Sequence, residues 1–330
     1  MLFKLVPPKF WYQRNIVSYA LLPFSFVYRG IVVLRKLYYQ FFPGPKIPIP
    51  VIVVGNITVG GTGKTPLVIY LAELLKSNGY VPGIVSRGYG GQSNNYPLLV
   101  IPESKVEEAG DEALLIARRT KCTVVVDPNR VAAAKEALLK GRCNVIISDD
   151  GLQHYALQRD VEIVVVDAEL GFGNGFCLPA GPLREPPERL QYVDFIVKNY
   201  NMGLADDEYG MALEPVIFYN LTNPTITKKI DEFKGQTVHA FAGIGNPNKF
   251  FQTLRQLGLN VVEHPLPDHY DFQSVDDSFV GATIVVMTEK DAVKCLGIAR
   301  ENFWCLKVEA KLSNKLNARI LEAITDHSTN

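Results

Sequence analysis

The sequence predicts an α/β protein whose mainly parallel β-sheet is covered by helices on both faces. Three observations support this prediction. Short, continuously apolar segments recur along the chain, segments with helical apolar spacing separate them, and a glycine-rich segment joins the first apolar segment to the first such helix. Strands that are apolar on both sides are typical of buried parallel sheets, because the crossover helices cover both faces. The length of 330 residues suggests two domains or one elaborate domain.

The first 46 residues differ in composition from the rest of the chain. They are rich in aromatic and aliphatic residues and contain basic residues but no carboxylate side chain, since the first acidic residue is Glu73. Aromatic rings interleaved with cations favour a helical segment that associates with a membrane surface. A helical hairpin packed on the core is the alternative. A spanning helix is disfavoured, because the longest uncharged run, residues 15–28, contains Pro23 and is shorter than the roughly 20 residues that a span needs.

The α/β pattern begins at Val51, and we predict a first domain over residues 47–199. Its predicted strands are residues 51–54, 83–86, 123–126, 145–148 and 163–166. Its predicted helices are residues 67–77, 108–118 and 130–139. Continuous apolar runs of strand length that alternate with helices indicate parallel βαβ units.

A second, smaller α/β lobe is predicted over residues 200–330, after the proline-rich segment LPAGPLREPPERL. The later predicted strands are residues 195–198, 215–219, 237–241, 260–263 and 283–287. The later predicted helices are residues 247–257 and 313–324. We expect this lobe to close a cleft against the first domain.

Composition narrows the class of function. The 34 basic and 34 acidic residues cancel, so charge gives no reason to expect a nucleic-acid partner. The five cysteines are odd in number and lack C-x-x-C spacing, which argues against a disulfide framework and against a zinc site. Reduced thiols in a cytosolic compartment are the expectation.

The glycine-rich segment VGNITVGGTGKTP, residues 54–66, predicts a phosphate-binding loop of the P-loop NTPase type. The usual pattern is G-x-x-x-x-G-K-[ST], and Thr58 here replaces the first glycine. Glycines let backbone N–H groups turn toward phosphates, Lys64 reaches the terminal phosphates, and the Thr65 hydroxyl holds magnesium. The predicted nucleotide-binding residues are Thr58, Val59, Gly60, Gly61, Thr62, Gly63, Lys64 and Thr65.

Two adjacent carboxylates, Asp149 and Asp150, follow the apolar run at 145–147. The carboxyl ends of the strands are the edge at which open α/β sheets bind ligands. Adjacent carboxylates repel each other unless a cation neutralises them, so the pair predicts a magnesium site. A helix-capping aspartate beside a turn would explain only one of the two. Gln153 follows on the next turn and could face the same site.

Three further polar segments are ambiguous when each is considered alone. Asp111 and Glu112 precede an apolar helix, where acidic residues are favourable as simple helix caps. Arg87, in the loop segment SRGYGG, suits a phosphate contact but could equally be a solvated loop arginine. The segment TEKDAVK is dense in charge, and helix capping by Thr288 is the simple explanation.

A histidine lies between two carboxylates in the segment PLPDHYDF, where Asp268 and Asp271 flank His269. Neighbouring carboxylates favour the charged form of an imidazole, so His269 could tune a base across a cleft. A loop histidine is more often structural, and the local sequence favours that role.

Eight motifs taken together resemble the tetraacyldisaccharide 4′-kinases of lipid A biosynthesis. In chain order they are VGNITVGGTGKTP, SRGYGG, AGDEALLIARR, DDGLQH, LPAGPLREP, HAFAGIGNP, PDHYDF and TEKDAVK. The resemblance extends from about residue 6 to the last predicted helix, and the aromatic, basic N-terminus is similar to the membrane-associating segment of that family.

The resemblance implies ATP- and Mg²⁺-dependent phosphorylation of the 4′-hydroxyl of a tetraacyldisaccharide 1-phosphate. The implied location is the cytoplasmic face of the bacterial inner membrane, with the membrane surface and the lipid A precursor as partners and no protein partner. The implied catalytic residues are Asp111 as base, His269 as the group that tunes it, and Lys64. This role for Asp111 replaces the local preference for capping.

The resemblance also implies roles for residues around this centre. Thr65, Asp149 and Asp150 are the implied magnesium ligands. The implied substrate contacts, or supports of the catalytic groups, are Arg87, Glu112, Arg119, Gln153 and Glu185. The main alternative function is a GTPase or ATPase switch or metallochaperone on the same scaffold. No convincing N-K-x-D guanine motif supports it.

Overall fold

The computed structural model describes residues 8–199, 209–270, 272 and 283–328. Within these ranges the strands form one sheet in the order β11-β10-β12-β13-β8-β7-β6-β1-β5-β2-β4-β3, with β9 paired to β8. The strands are β1 Val51–Gly55, β2 Pro82–Ser86, β3 Leu98–Val100, β4 Thr123–Val126, β5 Val145–Asp149, β6 Val161–Asp167, β7 Phe195–Asn199, β8 Tyr209–Asn220, β9 Thr227–Lys228, β10 Thr237–Ala242, β11 Asn260–Pro265, β12 Val285–Thr288 and β13 Phe303–Leu312. Most neighbours are parallel; β3 with β4, β8 with β13 and β8 with β9 are antiparallel.

The α-helices of the described residues lie before β1, between strands, and after β13. They are α1 Ile16–Ala20, α2 Leu22–Phe41, α3 Lys64–Ser77, α4 Val106–Ala109, α5 Asp111–Thr120, α6 Arg130–Gly141, α7 Pro247–Gln256, α8 Glu289–Ala292 and α9 Asn314–Ser328. Short 3₁₀ turns occur at Lys9–Trp11, Pro187–Tyr192, Ile230–Phe233 and Leu296–Ile298.

Both faces of the sheet are covered in the first half of the chain, as the sequence predicts. In β1, Ile52 and Val54 pack toward α3, α5 and α9, whereas Val51 and Val53 pack on the opposite side with α6. Alternate residues of a strand point to opposite faces, so a strand that is apolar throughout supplies both cores.

The second half of the chain extends the same sheet. Strands β11, β10, β12 and β13 pair with one another in parallel, and α7 covers one face of the sheet with Phe250, Phe251 and Leu254. Antiparallel pairing of β13 with β8 joins this half to the first, with a register shift between Lys307 and Val308. The predicted boundary at residues 199 and 200 adjoins 200–208, which lie outside the described residues, and the division into domains stays a prediction.

Two predicted elements differ from the structure. The helix predicted at 108–118 is divided at Gly110, whose φ of +83° ends α4 and starts α5 at Asp111. The strand predicted at 215–219 is the end of the longer β8, which begins at Tyr209. Beyond these, the sequence prediction missed β3, β9 and β13.

The N-terminal segment forms a short helix and a long one. Asn15 caps α1 through a reciprocal pair of hydrogen bonds with Ser18, and α2 follows directly. The longer helix is held to the protein by two side chains: Ser25 donates to the Cys177 carbonyl at 2.9 Å, and Tyr28 donates to the Arg184 carbonyl at 3.1 Å. Within the described ranges, no helix combines the length and the apolar character needed to cross a bilayer.

Candidate active site

The phosphate-loop sequence connects β1 to the first turn of α3. Gly63 precedes the helix with φ of +89°, a left-handed conformation that glycine adopts without strain. A Cβ atom at Gly63 would also lie 2.2 Å from the Asn199 side-chain nitrogen. Asn199 donates to the Thr62 carbonyl at 2.9 Å, and the Asn56 amide lies 3.3 Å from the Thr62 hydroxyl. The loop is thus shaped by its glycines and braced by two buried asparagines.

Thr58, at the position where a first glycine is usual, forms a β-bridge with Leu183. The next residue, Val59, donates its backbone N–H to the Pro182 carbonyl at 2.8 Å. Both partners belong to the segment LPAGPLREP. Thr58 therefore extends the strand-like pairing of the chain at the entrance to the loop.

The acidic pair lies at the end of β5, beside the phosphate loop. Asp150 accepts from Arg184 at 3.2 Å and pairs with the Lys64 ammonium at 3.4 Å. Burial alone would raise the pKa of Asp150, but the charges of Lys64 and Arg184 lower it to about 2. Asp150 is therefore fully ionised and already engaged by two cations.

Asp149 is in a different environment from its neighbour. It is fully buried; its Oδ2 accepts from the Ser86 hydroxyl at 3.2 Å, whereas its Oδ1 has no hydrogen-bond partner among the described residues. Burial, and then the charge of Glu112, raises the pKa of Asp149 to about 7. A nearby cation would satisfy this buried oxygen and neutralise a carboxylate whose charged form burial disfavours.

A histidine and an aspartate from distant parts of the chain meet at the start of α5. The Nδ1 atom of His269 lies 2.8 Å from the Oδ2 atom of Asp111, the first residue of α5. Asp111 is 4% exposed, and its Oδ1 accepts from the Glu112 backbone N–H at 2.8 Å. Burial would raise the pKa of Asp111, but the hydrogen bond with His269 and the nearby charge of Lys290 more than offset it and lower the pKa.

A single cleft connects these groups. Its lining includes the phosphate loop, both carboxylates of the acidic pair and His269, and it extends to Tyr28, Ile31 and Arg35 on α2. The arrangement combines a loop for phosphates, an anionic pair for a cation, and an ionised carboxylate that could accept a proton. These are the parts that phosphoryl transfer to a hydroxyl requires.

The family model described as LpxK, tetraacyldisaccharide-1-P 4′-kinase, matches residues 17–325. The chain belongs to the tetraacyldisaccharide 4′-kinase family. The tetraacyldisaccharide 4′-kinase of Nitrosococcus oceani is 46% identical over 319 residues, covering 96% of this chain and 93% of the relative. That of Methylobacillus flagellatus is 48% identical over 318 residues, covering 96% and 94%.

A solved structure agrees with the family assignment. The crystal structure of the "apo" form of LpxK from Aquifex aeolicus in complex with ATP is 34% identical, with a TM-score of 0.80, and covers 94% of this chain and 100% of that one. The resemblance inferred from the eight motifs and the predicted α/β fold class are both confirmed. The members of this family are kinases of lipid A biosynthesis.

The remaining residues that the family resemblance singled out occupy distinct positions. Glu112 pairs with Lys290 at 3.1 Å, beside the contact between Asp111 and His269. Arg119, at the other end of α5, forms an ion pair with Glu289 at 2.5 Å. Because Glu289 is on α8, this pair connects the two halves of the chain.

Gln153 hydrogen-bonds to the buried Glu185 beside the acidic residues. Gln153 donates to Glu185 at 2.8 Å and to the Asn56 carbonyl at 3.0 Å, and its own oxygen accepts from Arg184. The other Glu185 oxygen accepts from the Tyr155 hydroxyl at 2.8 Å. These contacts hold Arg184 against Asp150.

Arg87 is exposed and lines the same cleft as the phosphate loop. Asp271, which flanks His269 in the sequence, lies outside the described residues. Arg87 therefore offers an accessible cation at the mouth of the site, on the loop that follows β2.

Sequence reasoning did not single out Arg130 and Arg184, which lie beside the acidic pair. Arg130 is 4% exposed and donates to the Asp127 carbonyl at 3.0 Å. Burial lowers its pKa to about 10, while the charge of Asp149 opposes that shift. A usable signal exists for Arg130, since the segment DPNR follows β4 at the carboxyl edge of the sheet, where ligands bind.

Proposed function

We propose that this chain transfers the γ-phosphoryl group of ATP to the 4′-hydroxyl of a tetraacyldisaccharide 1-phosphate, a lipid A precursor. The single observation that carries the proposal is the contact between Asp111 and His269 in the same cleft as the phosphate loop. A nucleotide switch needs no buried carboxylate held by a histidine that lines the same cleft as its phosphate loop. An enzyme that must take a proton from a sugar hydroxyl does.

The proposed reaction is an in-line displacement at the γ-phosphorus. The 4′-oxygen forms a bond to phosphorus, the bond from phosphorus to the β–γ bridging oxygen breaks, and ADP leaves with that electron pair. The hydroxyl proton passes to Asp111. Because proton transfer comes late in such reactions, a carboxylate with a low pKa suffices as acceptor.

The phosphate loop supplies positioning and charge. Backbone N–H groups of the glycine-rich turn and the N-terminal end of α3 favour the phosphates of ATP. Lys64, at the first turn of α3, would exchange its present pairing with Asp150 for the terminal phosphates. Stabilising charge on the transferred group is the main contribution a protein makes to phosphoryl transfer.

The residues around the acidic pair fit a magnesium ion. A nearby dication would neutralise the Asp149 carboxylate. Its Oδ1 atom has no hydrogen-bond partner within the part of the chain that the structure describes, and burial raises its pKa. Asp149, Asp150 and the Thr65 hydroxyl are the proposed protein ligands. Mg²⁺ usually takes only one or two carboxylates and completes its coordination with phosphates and water, where it neutralises phosphate charge.

An assay with labelled ATP and purified tetraacyldisaccharide 1-phosphate in detergent tests the function. We expect lipid-dependent transfer of label to the lipid, since the proposed acceptor is its 4′-hydroxyl. A disaccharide already phosphorylated at the 4′-position is the matched control and should accept no label. Release of free phosphate at the same rate with and without lipid would instead support the switch or metallochaperone.

We also propose that α2 binds the cytoplasmic face of the bacterial inner membrane. Its outward side exposes large apolar residues: Phe24, Phe26, Val27, Ile31, Leu34 and Phe41 are each 59–77% exposed. Arg29, Arg35 and Lys36 provide cations for anionic headgroups. An acceptor with four acyl chains stays in the bilayer, so the cleft that reaches α2 must meet it there.

Replacing two of these aromatic residues tests the membrane proposal. Phe24→Ser with Phe26→Ser should lower the partition coefficient onto phosphatidylethanolamine–phosphatidylglycerol vesicles about 100-fold, because each ring buried in lipid contributes roughly 1.5–3 kcal/mol. Vesicle co-sedimentation measures it. Leu139→Ser on α6, a residue 77% exposed, is the matched control. Equal binding by both variants would contradict the assignment of α2.

A further inference from the structure

We propose that Lys290 is a positioning residue that fixes the tautomer of His269. The inference rests on the proposed function, in which Asp111 accepts the proton of the acceptor hydroxyl. Lys290 lies in the charged segment TEKDAVK, for which helix capping is the simple explanation, and Thr288 does cap α8 by accepting from the Asp291 N–H. Capping gives Lys290 no role.

The ammonium group of Lys290 has three short polar contacts. Its Nζ atom lies 3.1 Å from Glu112 Oε1, 3.2 Å from Asp268 Oδ1 and 3.2 Å from His269 Nε2. Three donors therefore meet three acceptors. Burial would lower the pKa of Lys290, but the neighbouring carboxylates, Glu112 foremost, raise it well above its ordinary value. The side chain is cationic at any working pH and can only donate.

A cationic donor at Nε2 decides which ring nitrogen carries the proton. Because Lys290 offers no lone pair, Nε2 of His269 must be the acceptor, and the ring proton must be on Nδ1. Nδ1–H then donates to Asp111 Oδ2 across the 2.8 Å contact. The opposite tautomer would set N–H against the ammonium and leave two acceptors facing each other at Asp111.

Lys290 is one of several charged side chains around His269. Other charged groups face His269 as well: Asp111 and Glu112 lie on α5, and Asp268 lies in its own loop, 3.8 Å from Nε2. Lys294 lies 4.0 Å from Asp111 and pairs with Asp291 at 2.9 Å. The Tyr89 ring packs on the imidazole, with centroids 4.8 Å apart. Among these groups, Lys290 is the cation that contacts the ring itself.

The short helix α8 is anchored well enough to hold Lys290 in place. Asp291, the next residue, is fully buried and accepts from the Gly243 N–H at 3.0 Å and from the Thr288 hydroxyl at 2.7 Å. On the other side, Glu289 pairs with Arg119. A side chain whose neighbours are fixed in this way can set the geometry of a partner.

The experiment compares Lys290→Met, which keeps the length of the side chain, with Lys290→Arg, which keeps the charge. Lys290→Met should lower kcat about 10–100-fold and leave KM for ATP unchanged. It should also move the acid limb of the pH–kcat profile about one unit higher, because Asp111 loses a nearby cation. Lys290→Arg should keep most of the parent kcat and most of the parent position of the acid limb. Lys234→Met, at an exposed ion pair with Asp231, is the control.

Two further readouts separate positioning from a merely structural role. In a His269→Gln background, Lys290→Met should lower kcat at the pH optimum less than about threefold, since its effect there passes through the imidazole. Nitrogen NMR of ¹⁵N-histidine protein, with His269→Gln to assign the signal, should show the Nδ1–H tautomer in the parent chain and loss of that tautomer in Lys290→Met. Additive effects, an unmoved acid limb, or an unchanged tautomer would overturn the proposal.

The NMR measurement needs no lipid and no turnover. If the parent chain fails to phosphorylate the disaccharide but shows the Lys290-dependent tautomer, the proposed function fails and the positioning role stands. If the parent chain is active and the tautomer is independent of Lys290, the positioning role fails alone.

Discussion

Asp111→Asn should lower kcat for lipid phosphorylation about 10³-fold, with KM for ATP changed by less than about twofold. The amide has the shape of the carboxylate and can still meet His269, but it cannot accept the hydroxyl proton. Since Asp111 is held by His269, outside the phosphate loop, nucleotide binding should be unaffected. Steady-state kinetics with labelled ATP measures both constants.

Glu108→Gln is the matched control for this variant. Glu108 is an exposed carboxylate three residues earlier, on α4, and its amide should leave kcat unchanged. If Asp111→Asn keeps more than about a tenth of the parent activity, the proton has another acceptor and Asp111 is not the base.

Lys64→Ala should lower kcat/KM for ATP about 10²–10³-fold, the cost of removing one stabilising group from the transferred phosphate. The loss has a second component. Lys64 lies 3.4 Å from Asp150, so its removal takes away one of the two cations that pair with that carboxylate. Calorimetric titration of ATP and steady-state kinetics together divide the loss between binding and turnover.

Lys76→Ala, near the other end of the same helix, is the control for Lys64→Ala. Lys76 is partly exposed and pairs with Glu73 at 3.1 Å, so its loss should affect neither ATP binding nor turnover. Similar losses in the two variants would mean that α3 is destabilised and that the phosphate loop has lost no specific contact.

The first half of the fold was predictable because its signals are local. Strands such as β1 and β5 are apolar at nearly every position, and the glycine-rich loop marks the turn from strand to helix. The strand β13, FWCLKVEAKL, was missed because only one end of it is continuously apolar. Its other half carries charged residues such as Glu309 and Lys311, which stay at the surface beside β8.

The site was predictable in part. The phosphate loop and the acidic pair follow from local chemistry at strand ends. The contact of Asp111 with His269 joins residues 158 positions apart, and no spacing rule predicts it. Local sequence favours helix capping for Asp111 and a structural role for His269. It was the family resemblance that paired them. Lys290 was overlooked for the same reason, since its partners come from α5 and a distant loop.

The hydrogen bond from Tyr28 on α2 to the Arg184 carbonyl has a consequence for the choice of substrate. Arg184 holds Asp150 beside the phosphate loop, so a bilayer bound to α2 would lie at a fixed height from the γ-phosphate of bound ATP. Longer or shorter acyl chains extend away into the lipid and leave that height unchanged. An extra sugar between the acyl chains and the acceptor hydroxyl would place that hydroxyl too far from the bilayer to meet the γ-phosphate. The enzyme should therefore discriminate between headgroups of different thickness far more strictly than between acyl chains of different length.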